Sequence, residues 1–266
     1  MAWALCLCIG LCSGFLAGLL GIGGGTVIVP ALILAAGPLG IGADDAAQVA
    51  MATSLAIVIP TSISSARAHA ARGSIDWQAF RRLAPGIAGG ALAGTLAACA
   101  FGGRWPLAVF VGFALLAARQ LVARPSADAA PDRPEAAPGI ARLARHSVAI
   151  GLLSSLAGVG GGLLSVPLLA HYLPLKRAIG TAAALGLPLA ASGLTGYLLA
   201  GHRARCMAGC VGTVFVPAVL AVSLAAMAAA PLGAHLAHHL PVAWLKRAFA
   251  ALLLFISADL CAELLR

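Results

Sequence analysis

The sequence predicts an all-α membrane protein, a polytopic bundle of about eight apolar segments arranged in two repeats, each opening with a glycine-broken helix. Three observations carry that expectation. Of 266 residues, 61% are hydrophobic and only 9% charged, with a mean hydropathy of +1.00; a soluble domain carries about 25% charged residues. Apolar stretches long enough to cross a bilayer, about 20 residues each, run roughly over 2–36, 46–66, 83–101, 105–123, 146–173, 178–200, 207–230 and 243–262. The first and fifth of these stretches contain the same broken motif: Gly14, Gly21, Gly23, Gly24, Gly25 and Pro30 recur at one offset as Gly151, Gly158, Gly160, Gly161, Gly162 and Pro167.

The first segment, 2–36, would be about 50 Å long as one helix, against a hydrocarbon core of roughly 30 Å. It must therefore break, tilt or fold back, and Gly21–Gly25 is where it can turn, since glycine and proline are poor helix-interior residues. Backbone unwound there must be shielded from lipid by protein or face a watery cavity, so both copies belong near the bundle centre. Gly10, Gly14 and Gly18, like Gly90 and Gly94, form small-xxx-small ladders of the kind that lets helices pack closely. Three consecutive glycines exceed what packing needs. A dinucleotide fingerprint does not explain Gly21-x-Gly23 with Asp44, because a membrane-length segment precedes it, Thr26 stands at the last glycine position and the second copy has no matching acid.

The second segment carries Thr53 and Pro60, and Gly73 follows it; at a shorter offset these fall on Thr181, Pro188 and Gly201 of the sixth. In the third segment Pro85 falls near Pro217 of the seventh. The order of shared prolines makes internal duplication the reading, with residues 1–123 the first transmembrane repeat and 146–266 the second. Residues 124–145 are the one polar stretch, whose prolines and mixed charges predict a flexible linker. In the eighth segment Asp259 is the only acid well inside an apolar stretch, a candidate for proton coupling or a side chain reaching the interface. His235, His238 and His239 read as an interfacial loop and not as metal ligands, having no carboxylate or cysteine beside them. The seven cysteines form no Cys-x-x-Cys pair, and most read as small hydrophobes.

The net charge of +9 comes from 17 Lys and Arg lying between apolar segments, as in cytoplasmic loops, so no nucleic-acid partner is expected. Two topologies are open. Either all eight segments span with the N-terminus inside, or each broken segment dips in and returns, making the repeats inverted with the N-terminus outside. Both put most basic residues inside. They differ in the side of the C-terminus.

The paired Gly-x-Gly-Gly-Gly-x4-Pro segments, the eight apolar stretches and the Gly73-Ser-Ile-Asp-Trp77 turn resemble the TauE/SafE family of sulfite exporters over nearly the whole chain. The resemblance implies a bacterial inner-membrane transporter for sulfite, sulfonates or related small organic anions. His69 and Arg72 match basic positions before the family's glycine turn, whereas Gly201-His-Arg-Ala-Arg205 lacks the acid–tryptophan pair. The residues themselves also favour an anion. A broken helix exposes free N–H groups and positive partial charge at the N-terminus of its second half, and Thr26, Ser165, Thr53, Ser54, Thr61, Ser62, Thr181 and Ser192 offer hydroxyls. These same hydroxyls could instead bond backbone carbonyls or join helix contacts.

The expected substrate site is Gly23, Gly24, Gly25, Thr26 and Thr53 of the first repeat with Gly160, Gly161, Gly162 and Thr181 of the second. The expected function is a secondary transporter, running outward, of small sulfur-containing anions; an anion channel or a carrier of another small organic anion is the alternative. No catalytic constellation, nucleotide motif, metal site or cofactor is expected. The expected partners are the anion, the bilayer and a coupling ion, with the oligomeric state open.

Overall fold

The structure is a computed structural model that describes residues 2–20, 25–101, 105–123, 140–200, 209–237, 250–251, 254–255, 257–258 and 261. Among them lie nine helices: α1 Ala2–Leu20, α2 Gly25–Leu34, α3 Ala43–Ala71, α4 Trp77–Phe101, α5 Trp105–Ala123, α6 Ile140–Leu156, α7 Gly162–Leu169, α8 Leu175–Ala200 and α9 Val216–Ala237. The fold is the expected all-α bundle. Three helices are long and apolar enough to cross a bilayer, over Asp45–Ala71, Trp77–Ala100 and Lys176–Ala200, and shorter apolar helices fill in around them.

Helix ends depart from the apolar limits in a consistent direction. α3 runs on to Ala71, α4 starts at Trp77 and α6 starts at Ile140, inside the stretch expected to be linker. Arg67, Arg81, Arg82, Arg142 and Arg145 occupy these extensions. Hydropathy marks where the lipid ends, but helical hydrogen bonding continues into the interface. The seventh segment is corrected at its start. Cys210–Val211 and Val214–Phe215 pair as a two-stranded antiparallel hairpin, and α9 begins only at Val216. Gly209 (φ +103°) and Gly212 (φ +62°) permit the turns that a helix could not contain.

Contacts between named residues give the directions of α1, α3, α4, α6, α8 and α9. Ser62 lies by Gly186, Leu55 by Gly193 and Met51 by Tyr197, so α3 and α8 are antiparallel. Asp76 at the foot of α4 bonds Thr181 near the foot of α8, and Thr95 meets Gly196 near both upper ends, so α4 and α8 are parallel. Gly86 meets Ser147, Gly90 meets Leu152 and Gly94 meets Ser155, which makes α6 parallel to α4. Phe215, just before α9, bonds Thr53 near the start of α3, and Gly10 and Gly14 of α1 meet Val222 and Ala226 of α9. Hence α1, α3 and α9 point one way, and α4, α6 and α8 the other.

This settles the topology. Thr53 and Thr181 occupy equivalent places in the duplication, yet their helices are antiparallel, so the copies are inverted. Because α1 and α3 run the same way, the intervening α2 must return; α7 returns likewise between α6 and α8. The broken segments re-enter. The arrangement of eight full spans is excluded because it would make α3 and α8 parallel.

The copies also interlock. The first helix of each packs on the third helix of the other, α1 on α9 and α6 on α4, and the two central helices α3 and α8 pair with each other. Glycine ladders make the first two contacts. A Cβ at Gly14 would collide with the backbone of Ala226, one at Gly151 with Ile87 and one at Gly90 with Val148. These positions are close packing, as the ladders predict.

One end of the bundle gathers Arg67, His69 and Arg72 from the end of α3, Arg81 and Arg82 from the start of α4, Arg145 from α6, and Lys176 and Arg177 from α8. The positive-inside rule makes this the cytoplasmic end. Cys210 is disulfide-bonded at the opposite end, which suits an oxidising compartment. It departs from the small-hydrophobe role read for most cysteines. The C-terminal segment lies mostly outside the described residues, but inversion fixes an expectation: a reporter fused after Arg266 should be active only on the non-cytoplasmic side. Cytoplasmic activity would contradict the inverted arrangement.

Candidate functional site

The second break can be followed atom by atom. α6 closes with Gly158 in the left-handed region (φ +64°), where Gly158 N–H donates to the Ser155 carbonyl (3.0 Å) and Val159 N–H to the Ser154 carbonyl (2.9 Å). That pair of bonds is a Schellman closure, which satisfies the last carbonyls of the helix and turns the chain back. A Cβ on Gly158 would lie 2.7 Å from Met51 Cα, so close approach to α3 also requires glycine here. Gly160 and Gly161 lead into α7, which begins at Gly162 with no side-chain cap. The first N–H groups of such a helix have no intrahelical acceptor and carry partial positive charge.

The start of α2 meets the second break. Gly21–Gly24 lie outside the described residues, so Gly23 and Gly24 of the expected site are not placed. Gly25 opens α2 and is buried; a Cβ on it would stand 3.0 Å from Gly160 N, 3.1 Å from Val159 Cα and 3.4 Å from the Gly158 oxygen. The start of α2 therefore abuts the glycine run that feeds α7. Gly25, Gly160, Gly161 and Gly162 are brought together in the interior, where the duplication led us to expect them.

A cavity of about 360 Å³ reaches this junction from the cytoplasmic end. Gly160, Gly161 and Gly162 line its inner part, with Ile28 of α2. One face of α3 supplies its long wall: Val58, Thr61, Ser62, Ser65, His69 and Arg72, recurring at the three- and four-residue steps that put side chains on one side of a helix. Ile179, Ala182 and Gly186 of α8 face them, and Gly14, Ala17 and the Ala226–Pro231 end of α9 complete it. Thr61 spends its proton internally, donating to the Ile57 and Val58 carbonyls (3.0 and 3.1 Å), so it offers the cavity only lone pairs. Ser62 and Ser65 stand further along the same wall, and His69 and Arg72 stand at the mouth.

The threonines of the expected site have other positions. Thr53 Oγ1 accepts the Phe215 N–H (3.0 Å) and Thr181 Oγ1 accepts the Asp76 N–H (2.9 Å); both are completely buried and neither lines the cavity. Each thus satisfies a backbone donor at the foot of the other copy's third helix, one of the exposed donors every helix start leaves. Asp76 then caps α4 by accepting the Ala79 N–H at 2.8 Å. The two threonines are equivalent joints between the copies, a role hidden from the sequence because their partners lie 162 and 105 residues away. Thr26 is buried in the first turn of α2, and its hydroxyl finds no partner among the described residues; it does not line the cavity.

A test separates joint from ligand. Thr53→Val and Thr181→Val each strand a buried N–H, which costs about 1–3 kcal/mol. Both should lower the melting temperature of the purified protein while leaving the substrate concentration for half-maximal flux unchanged. A shift in that concentration at unchanged stability would return the threonines to the binding site.

The wall residues Ser65, His69 and Arg72 belong to this cavity although the glycine motif does not mark them. Their signal was the helical spacing of hydroxyl and cationic residues after Pro60. Asp259, His238 and His239 lie outside the described residues, and no group of three metal-ligating side chains occurs among those described.

Comparison with known proteins agrees with the geometry. The family model described as sulfite exporter TauE/SafE matches residues 6–260. A Haemophilus influenzae protein named "Probable membrane transporter protein" is 33% identical over 264 residues, covering 96% of this chain and 97% of its own. "Probable membrane transporter protein YunE" of Bacillus subtilis is 27% identical over 224 residues, 76% of this chain and 80% of its own. No solved structure matches the chain.

Proposed function

The chain belongs to the sulfite exporter TauE/SafE family, a membrane transporter family, and from that premise we propose that it carries small sulfur-containing anions, sulfite or sulfonates, outward across the bacterial inner membrane. The duplicated scaffold, 1–123 and 146–266, holds one substrate site between its two breaks. The observation that carries this reading is the cavity that runs from Arg72 to the glycine run, where the N-terminal ends of α2 and α7 come together.

A compact oxyanion suits such a site. Backbone N–H groups and two dipole ends can hold it without a buried cation, and glycine lets the backbone approach the ligand. A volume of about 360 Å³ lies at the small end of ligand pockets and leaves room for a short organic sulfonate. Export is supported by an asymmetry in the duplication. Arg72 stands at the cytoplasmic mouth, where its charge attracts anions, with His69 beside it, whereas Ala200 and Tyr197 occupy the equivalent positions of the other copy.

The test is flux of labelled sulfite, sulfoacetate and thiosulfate in proteoliposomes, with sodium and choline as cation controls. Saturable anion flux that weakens on Arg72→Gln is the expected result. Cation flux alone would refute the reading.

A further inference from the structure

The cytoplasmic cavity has a counterpart that is shut. The offset that takes Thr53 to Thr181 relates the cavity-lining His69 to Tyr197 and Ser65 to Gly193; in reverse it relates the cavity-lining Ile179 to Met51, Ala182 to Ser54 and Ala183 to Leu55. The offset that takes Gly25 to Gly162 relates Ala17 to Ser154 and Ile28 to Ser165. Because the copies are inverted, the counterpart set faces the end opposite Arg72.

Two pairs of residues that line the open cavity have counterparts in closed contact on the other side. His69 and Ile179 line the cavity, but Tyr197 is fully buried against Met51, its hydroxyl 3.7 Å from the Met51 sulfur. Ser65 and Ala183 line the cavity, but Gly193 lies against Leu55, whose Cδ1 would be 2.9 Å from an added Cβ. Beside this seal sit hydroxyls that find no partner among the described residues. Six buried hydroxyls find no partner among the described residues, and three of them, on Ser54, Ser154 and Ser165, fall on counterparts of cavity-lining positions. All three residues are at least 99% buried. A hydroxyl stranded in a packed interior is unfavourable and needs a reason; a state in which it meets water or ligand supplies one.

We propose that Ser54, Ser154 and Ser165 line a second vestibule on the face opposite Arg72, sealed here by Tyr197 on Met51, which opens to release the transported anion as the cytoplasmic cavity closes. The identity of its occupant rests on the anion reading above. The existence of the vestibule does not.

Labelling tests it without substrate. In the full chain with its seven native cysteines replaced, Ser54→Cys and Ser65→Cys are exposed, in sealed vesicles of each orientation, to a charged membrane-impermeant methanethiosulfonate. Ser65→Cys should react rapidly from the Arg72 face, and Ser54→Cys slowly from the opposite face. Adding Tyr197→Ala should accelerate Ser54→Cys about tenfold or more, a shift of 1.4 kcal/mol in the opening equilibrium, and slow Ser65→Cys. Tyr197→His, which installs the residue of the open side and leaves less of a hole, should move both rates the same way if Tyr197→Ala fails to insert. Faster Ser54→Cys with unchanged Ser65→Cys would make Tyr197 a packing residue and overturn the proposal, as would no change in either rate. Reciprocal labelling without anion flux would remove only the substrate assignment; anion flux without reciprocal labelling would remove the second vestibule.

Discussion

Gly161→Leu is expected to abolish transport, reducing flux by about 100-fold or more, a loss of at least 2.7 kcal/mol in productive binding, while the protein still inserts and folds. The position allows this separation. A Cβ there would meet the tip of the Leu189 side chain at 2.9 Å and Ser165 Oγ at 3.5 Å, both of which can yield, and no backbone stands in the way. The leucine would crowd Leu189 and Ser165 beside the start of α7, and because Gly161 itself lines the inner part of the cavity, the added bulk would stand next to the N–H groups the anion must reach. Gly24→Leu is expected to act alike from the first copy, although Gly24 lies outside the described residues. Flux at matched membrane levels checks both, and undiminished transport would reduce the glycine runs to packing.

Gly14→Leu should fail in a different way. An added Cβ collides with the main chain of Ala226, which no rotamer change relieves, and α1 must separate from α9. Overpacking of this kind costs typically 1–3 kcal/mol and more when backbone has to move. Gly151→Leu, its counterpart against Ile87 and Ala91, should do the same to α6 and α4. The expected result is little folded protein in the membrane and a melting temperature lowered by several degrees in what survives. Normal levels with normal melting would mean that the interlocked helix pairs are looser than these contacts imply.

The contrast between Gly161 and Gly14 measures how much of the site was readable in the chain. The doubled motif marks both as unusual and gives them different readings, runs of three for the break and four-residue ladders for packing, and Gly14 does pack on Ala226. It also put Gly25 and Gly160–Gly162 near one another, since unwound backbone has to leave the lipid. The threonines were harder. Thr53 and Thr181 stood out by their equivalence, and equivalent they are, but as acceptors for Phe215 and Asp76 and not as cavity wall. A threonine's sequence neighbours do not say which distant N–H it will meet.

Likewise, the wall of Ser62, Ser65, His69 and Arg72 is an ordinary helical stripe until α8 and α9 face it across a gap. The hairpin at Cys210–Phe215 was read as helix because hydropathy averages over a window wider than a two-residue strand.

The sequence by itself determined that this is a membrane bundle, duplicated, with two helix breaks near its centre, because burial in lipid and tolerance for glycine are properties of composition and local backbone. Only the tertiary structure decided that the copies are inverted, interlocked and open on one side. Hydropathy has no direction, so a segment that spans and one that turns back look alike, and the basic residues fall mostly inside in either case. Direction appears only when Leu55 is found beside Gly193 and Ser62 beside Gly186, contacts that fix α3 against α8 and show the copies to be inverted.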